Sequence, residues 1–591
     1  MQNRQPVLTK RGSAESRAFR ESPALSVNSR TKSRRFAKDA GLRFLLPHSK
    51  TPTLRMIAKK GDKEMKSQRD TCRKIVLGRL AQARTPRGLI RLVLSILFTA
   101  LALATTNASA QTLTTLYPFG NSITDGQNPD ADLIDTSGNF YGTTIHGGEN
   151  GYGTVFKLTR SGSETALYSF GSSSTDGRYP QAGLIADASG NLYGTTYQGG
   201  AYGFGTVFKL TPSKSVPWTE TVLYSFGSSS TDGQGPLAGL IADASGNLYG
   251  TTNNGGTSNL GTVFKLTPSG SETILHSFSG FPSDGAYPQA GLIADASGNF
   301  YSTTNQGGAS NGGTVFEVTP SGTEIVLHSF ANSPDGLNPF AGLIADASGN
   351  LYGTTAAGGE NGNGTVFKLM KQAGTWIETV LYSFGRGTSS DGVNPYAGLI
   401  ADASGNLYGT TFSGGDSTNC RHGVPCGTVF KLTPLGIETV LYSFTGGSDG
   451  ENPFAGLIAD ASGNLYGTTY QGGAYGYGTV FKLTGAGYVA VPFTITPTPK
   501  SETIKRGDWA VFLLTLKSLD GFKGEVTLSC SGGPAGSYCA DLPQTLYLNG
   551  TAYAVSGIRF PKDTTPGTYV ITFTGTSGSL TAKAAAKFIV K

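Results

Sequence analysis

Asp187-Ala-Ser-Gly-Asn-Leu-Tyr-Gly-Thr-Thr196 decides the fold of this chain, because it keeps coming back. Its Ser-Gly-Asn-Leu/Phe-Tyr centre begins at Ser137, Ser189, Ser245, Ser297, Ser348, Ser404 and Ser462, in steps of 51 to 58 residues. A second phrase, Gly-Thr-Val-Phe, keeps pace from Gly153, Gly205, Gly261, Gly313, Gly364, Gly427 and Gly478. Seven copies of one β-rich unit of this length predict the blades of a propeller.

Working outward from residue 187, the second unit reads as four strands. Ala182 to Asp187 is strand A, and Ala188-Ser189-Gly190 turns the chain. Asn191 to Thr196 is strand B, and a Gly-rich loop, 197 to 204, leads to strand C, Gly205 to Thr211. Strand D is Glu220 to Phe226. Strands A and C mix β-branched and large apolar side chains, as strands buried on both faces do. In the turn, Asp accepts hydrogen bonds from backbone N–H groups and Gly takes positive φ. A calcium loop is the sharper alternative, but the extra carboxylates it needs are missing. Thr114 to Phe119 matches strand D, while the last unit stops after strand C at Thr484. The N-terminal strand is therefore expected beside Gly478–Thr484, closing the ring and removing two exposed edges.

The phrases Asp-Ala-Ser-Gly-Asn-Leu-Tyr-Gly-Thr-Thr and Gly-Thr-Val-Phe-Lys-Leu resemble those of the secreted bacterial tandem-repeat proteins known as choice-of-anchor GloVer-repeat proteins. The likeness spans residues 114 to 484. It implies a surface or secreted propeller-like protein of unknown activity, attached by one of several C-terminal devices. The Asp-x-x-Gly-Asn hairpin is also similar, more weakly, to NHL-type blades.

Charge divides the chain. Residues 1 to 110 hold 24 Lys and Arg against 6 Asp and Glu, about +18. The remainder holds 22 against 33, about −11, which argues against a nucleic-acid partner. Residues 1 to 88 read as a disordered basic leader. Residues 89 to 110 read as a signal peptide: Arg91, an apolar run from Leu92 to Ala104, and small residues at Ala108 and Ala110. Met65 or Met56 is the expected start. Export favours disulfides over free thiols, pairing Cys420 with Cys426 and Cys530 with Cys539. His422 between the first pair raises a metal reading, which lacks a fourth ligand. His48 and Cys72 fall in the leader.

The propeller is expected over residues 111 to 487, a linker over 488 to 499, and an Ig-like β-sandwich over 500 to 591. Strands such as Trp509–Leu516, Glu525–Cys530 and Thr568–Thr574 carry that last reading.

The B-to-C loops vary most, so the face they share with the D-to-A connections is the better candidate for binding. Tyr197, Tyr202 and Phe204 in the second unit, and Tyr470, Tyr475 and Tyr477 in the seventh, are the candidate ligand-binding residues. Exposed aromatic rings stack on sugars; the alternative is that they wedge between blades. Asp-Gly-x-x-Pro recurs at Asp125, Asp176, Asp232, Asp284, Asp335, Asp391 and Asp449. It reads as a turn, with a cation-holding ring of carboxylates as the rival. His276 and His328 replace Tyr in strand D, and His146 is a lone loop residue. No Ser-His-Asp set, nucleophile elbow or phosphate loop stands out. No catalytic residue, cofactor or metal is expected, and the expected state is a monomer. Binding of a glycan or cell-envelope component is favoured over a polysaccharide lyase or hydrolase working in the channel. In strand C only Glu317 reverses the sign of its sisters, too little for catalysis.

Overall fold

The computed structural model describes residues 111–591, except 137, 244, 296, 332, 347, 387–389, 418–419, 421–424, 491–492, 520–521, 534–536 and 578–579. The leader, the signal peptide and His422 lie outside the described residues. Among those described, every regular element is a strand, and no helix is long and apolar enough to cross a membrane.

Each of the seven units forms its own four-stranded antiparallel sheet. In the second unit the strands are Ile185–Ala186 (A), Leu192–Thr196 (B), Thr206–Thr211 (C) and Thr219–Ser225 (D), adjacent in that order. The A-to-B turn is set by one carboxylate. Asp187 Oδ1 accepts the N–H groups of Ser189 (2.8 Å) and Asn191 (3.0 Å), while Oδ2 accepts Asn191 Nδ2 (2.6 Å) and the Tyr193 hydroxyl (3.0 Å). Four donors on one carboxylate leave no room for a shared ion. The same set recurs around Asp243, Asp346, Asp402 and Asp460.

Strand C is the buried heart of each sheet: Val207, Phe208 and Leu210 are wholly inaccessible. Phe208 lies across Gly194 of strand B, where a Cβ would strike its ring, so that position favours glycine. The apolar clusters sit between consecutive sheets, one per seam. Tyr141, Val155, Leu184 and Phe208 belong to the seam of the first and second units. Phe119, Leu133, Phe156 and Val480 belong to that of the seventh and first. The Phe ending strand D of one unit meets the strand C Phe of the next edge-on, with centroids 5.0 to 5.2 Å apart. The pairs include Phe119–Phe156, Phe170–Phe208, Phe226–Phe264 and Phe444–Phe481.

The seventh sheet is completed by the segment expected to do so. Thr112–Pro118 pairs antiparallel with Thr479–Thr484, Thr112 opposite Thr484 and Pro118 opposite Thr479. Two-residue ladders not foreseen from sequence tie the D-to-A connection to the same unit's B-to-C loop in six units, as in Gly177–Arg178 with Gln198–Gly199, and a single bridge, Glu451 with Gln471, does so in the seventh.

The Asp of each Asp-Gly-x-x-Pro holds its own loop. Asp176 Oδ2 accepts the Ser172 N–H (2.8 Å), the Ser172 hydroxyl (2.9 Å) and the Tyr168 hydroxyl (3.0 Å). Its other oxygen is buried without a partner, and so is Oε1 of Glu220 on the neighbouring sheet. The arrangement repeats for Asp125 with Glu164, Asp232 with Glu272 and Asp391 with Glu438. Burial, and then the charge of Asp176, push the Glu220 carboxyl up to about 7. At the two seams where His276 and His328 replace Tyr, the imidazoles bond Asp284 (3.2 Å) and Asp335 (3.1 Å). There the second Asp oxygen is occupied by the N–H of Gly285 or Gly336.

The C-terminal module has a four-stranded and a five-stranded sheet around one core that includes Phe512, Leu514, Phe573 and Phe588. Phe493–Thr498, assigned to the linker from sequence, is an edge strand pairing with Trp509–Ser518. Its prolines suggested a linker, but an edge strand tolerates Pro497, and Phe493 and Ile495 alternate into the core.

Two outcomes follow. If the closing seam is equivalent to the others, Phe119→Ala lowers stability as much as Phe226→Ala, by about 3–5 kcal/mol each in chemical denaturation; a much smaller loss for Phe119 means the ring is open there. Second, a folded-state pKa raised above the unfolded value gives stability that is complete below the unfolded pKa and lost as pH rises through the folded one. The Glu220, Glu272 and Glu438 carboxyls therefore lose their contribution between pH 4.5 and about 7, and Glu164 by about 8. Melting temperature should fall across that window, and Glu220→Gln, which keeps a donor toward Asp176, should flatten the fall.

Candidate functional site

The residues that lead into strand A from all seven units line one shared cavity of about 480 Å³. Its lining breaks the repeat at two positions, most widely at the residue after the proline. Here stand Asp130, Gln181, Leu237, Gln289, Phe340, Tyr396 and Phe454, in unit order. Two positions on, the first unit carries Asp132 where its six sisters carry glycine. Asp130 and Asp132 are the only charged residues among the described lining, and both belong to one unit.

The two acids differ in what holds them. Asp132 is open to the cavity, and its Oδ1 accepts the Gly456 N–H of the seventh unit at 2.5 Å. At the other six seams a strand B threonine bridges instead, as when Thr195 Oγ1 donates to the Ala238 carbonyl (3.1 Å). The seventh copy, Thr468, is buried without a partner. Asp132 thus replaces that threonine link at the closing seam. Asp130 is half-buried and makes no hydrogen bond or ion pair among the described residues. Burial, with the charge of Asp132 adding to it, pushes the Asp130 carboxyl up to about 7. Although its side chain reaches the cavity, the protein packed around Asp132 desolvates and raises it, and the Gly456 N–H partly opposes that.

Beside the acids runs an aromatic wall. Tyr396 and Phe454 stack face to face, 4.8 Å apart and 5° from parallel. Phe340 meets Tyr396 edge-on at 4.9 Å, and Phe412 contacts Tyr396 (5.4 Å) and Phe454 (5.6 Å). Tyr470 continues the wall 6.4 Å from Phe454. Its hydroxyl is raised by burial and then by the charge of Asp130, which places the acid beside the last ring. The units from fifth to seventh thus supply rings, and the first unit, next in the circle, supplies carboxylates.

The sequence profile of the Gloeobacter/Verrucomicrobia repeat matches residues 102–243, 218–424 and 379–504. The chain belongs to this repeat family. No curated protein matches it. Among solved structures, a PL25 ulvan lyase is 10% identical over 80% of this chain and 94% of its own, with a TM-score of 0.27. The Bacteroides ovatus xyloglucan-locus GH43B is 13% identical over 79% and 91%, at 0.26. Domains 4 and 5 of the S-layer protein SbsC are 13% identical over 42% and 92%, at 0.13. All are distant in sequence and in shape.

The six aromatic residues singled out in this Gloeobacter/Verrucomicrobia repeat protein take different places. Tyr470 joins the wall. Tyr197 lies over Gly235, Phe204 over Gly227 and Tyr477 over Gly120, each at a spot where a Cβ would meet the ring. Tyr202 and Tyr475 are about half exposed on their loops (53% and 50%). Glu317, the sign change in strand C, pairs with Tyr301 and Ile325 in the ladder and is not among the lining residues. Reading down strand C and the B-to-C loops missed Asp130 and Asp132. Their signal was available one column away, after the repeated proline. Both expected disulfides are present, Cys420–Cys426 and Cys530–Cys539, with Cα atoms 5.4 and 6.2 Å apart.

Thermal or urea melts separate the two acids. Asp132→Ala frees the Gly456 N–H and should cost roughly 1.5–3 kcal/mol, as for other bonds to a charged acceptor. Asp130→Ala removes an unpaired carboxyl and should leave stability unchanged or raised. Equal losses would show that Asp130 has a structural partner.

Proposed function

We propose that the seven sheets are the blades of a closed propeller followed by an Ig-like sandwich, and that the protein is an exported binding protein for a glycan or another cell-envelope component. The propeller reading is supported by the seven seams, each with its own apolar cluster, and by the pairing of Thr112–Pro118 with the last strand C. Export is supported by the two disulfides. The observation that carries the binding reading is the uneven lining of the cavity. A purely structural ring has no use for rings on three units, an unpartnered carboxyl on a fourth and amides on two others. Apolar walls with a few convergent polar groups are how small ligands and sugar units are held. The mouth lies among the D-to-A and B-to-C connections, the face with the most variable loops.

Catalysis by a hydrolase or lyase is the second reading. The Asp130 carboxyl at about 7 is protonated enough at neutral pH to serve as a general acid. Against it, Asp132 is committed to the Gly456 N–H and sits on the same segment, not across a scissile bond.

Calorimetric titration of a panel of neutral oligosaccharides tests the first reading. Tyr396→Ala or Phe454→Ala should weaken binding about 3- to 10-fold, the worth of one ring contact. Phe204→Ala, which removes a ring lying over Gly227, should leave it within about twofold. Loss of binding in Tyr202→Ala or Tyr475→Ala with no effect of the cavity variants would move the site to the outer loops. Sugar release that Asp130→Asn abolishes would favour the enzyme.

A further inference from the structure

We propose that the cavity mouth selects a ligand carrying a protonated amine on a sugar frame, a glucosamine-type unit, with Asp130 receiving the ammonium group and the Tyr396–Phe454 wall packing on the ring. This rests on the binding reading above and names the ligand's chemical class.

The argument begins with charge. The described lining carries two carboxyl groups and no Lys, Arg or His. A polyuronate or sulfated sugar would bring further negative charge into that enclosure with nothing to receive it, and is repelled. A neutral sugar fits the rings and can donate a hydroxyl to Asp130, but it brings no positive charge to the two acids. An ammonium group supplies the missing charge and three donors to an acceptor that has none. It also offsets the charge of Asp132, which adds to the effect of burial on Asp130.

Geometry points the same way. Asn128, two residues before Asp130, donates its Nδ2 to the Tyr470 carbonyl (2.9 Å), and Tyr470 adjoins Phe454. A six-membered ring lying along the wall would therefore present a substituent at its edge to the carboxylate. A bare divalent ion would use the acids but not the wall, because rings offer it no oxygen ligand and one acid is already bonded to Gly456.

The test is calorimetric titration of the full chain at pH 6.5 with four hexamers: glucosamine, N-acetylglucosamine, glucose (β-1,4) and galacturonate. Calcium chloride is titrated separately. The glucosamine hexamer should bind about tenfold or more tightly than the glucose hexamer. N-acetylation should remove that advantage, and the galacturonate hexamer should not bind. Asp130→Asn, checked for an unchanged melting temperature, should bring the two affinities together without weakening the glucose hexamer. Equal affinities in the wild type, or a preference that survives Asp130→Asn, overturn the amine assignment. If the glucose hexamer still binds and Tyr396→Ala weakens it, the binding reading stands while the amine fails. If none of the four binds, both fall. Calcium heat that Asp130→Asn abolishes, without an amine preference, makes the acids a metal site and overturns the proposal.

Discussion

The edge-on meeting of two phenylalanines, repeated at every seam, is the contact on which the rest of the molecule depends. It rests on a buried strand C, a Phe at the end of strand D, and a small strand B residue beneath the ring, glycine in six units and Ser302 in the fourth. Because each sheet spends both faces on its neighbours, no common core forms at the centre. The inner strands cannot converge, and a cavity remains where they would meet. Lining residues such as Asp130 and Gln181 take no part in the apolar clusters, so they can differ between units.

The closing seam shows how an uneven sequence completes an even ring. It keeps the aromatic contact, at the same 5.1 Å, but replaces other parts. Asp132 stands in for the threonine bridge. Arg160, where several sisters have proline, lies over Phe140 (4.4 Å) and Tyr466 (5.2 Å) and comes within 3.9 Å of Asp460. One seam earlier, the completing strand offers Leu113 where other D strands have glutamate. There the second oxygen of Asp449 takes the Thr445 hydroxyl at 2.6 Å and needs no acidic partner.

Much of this was legible in the sequence because it is local. The Asp187 turn joins residues within six positions, and the strand C pattern is read directly from β-branched and aromatic side chains. Closure was legible because the first and last fragments of the repeat are complementary. What stayed hidden needs distance in sequence. Asp176 and Glu220 lie a unit apart and meet only across a seam. Asp130 acquires meaning only once it is opposite no base and next to Tyr470. Phe493–Thr498 was masked by prolines that an edge position permits.

The register of the closing strands has a mechanical consequence. Thr112 and Thr484, where the array begins and ends, face each other at the same end of one antiparallel ladder. A load drawn between them would peel that ladder one hydrogen bond at a time, like a zip, instead of shearing all its bonds at once. Tension transmitted through the array would thus find its weakest element first, and the circle would open there while the remaining six sheets stayed intact.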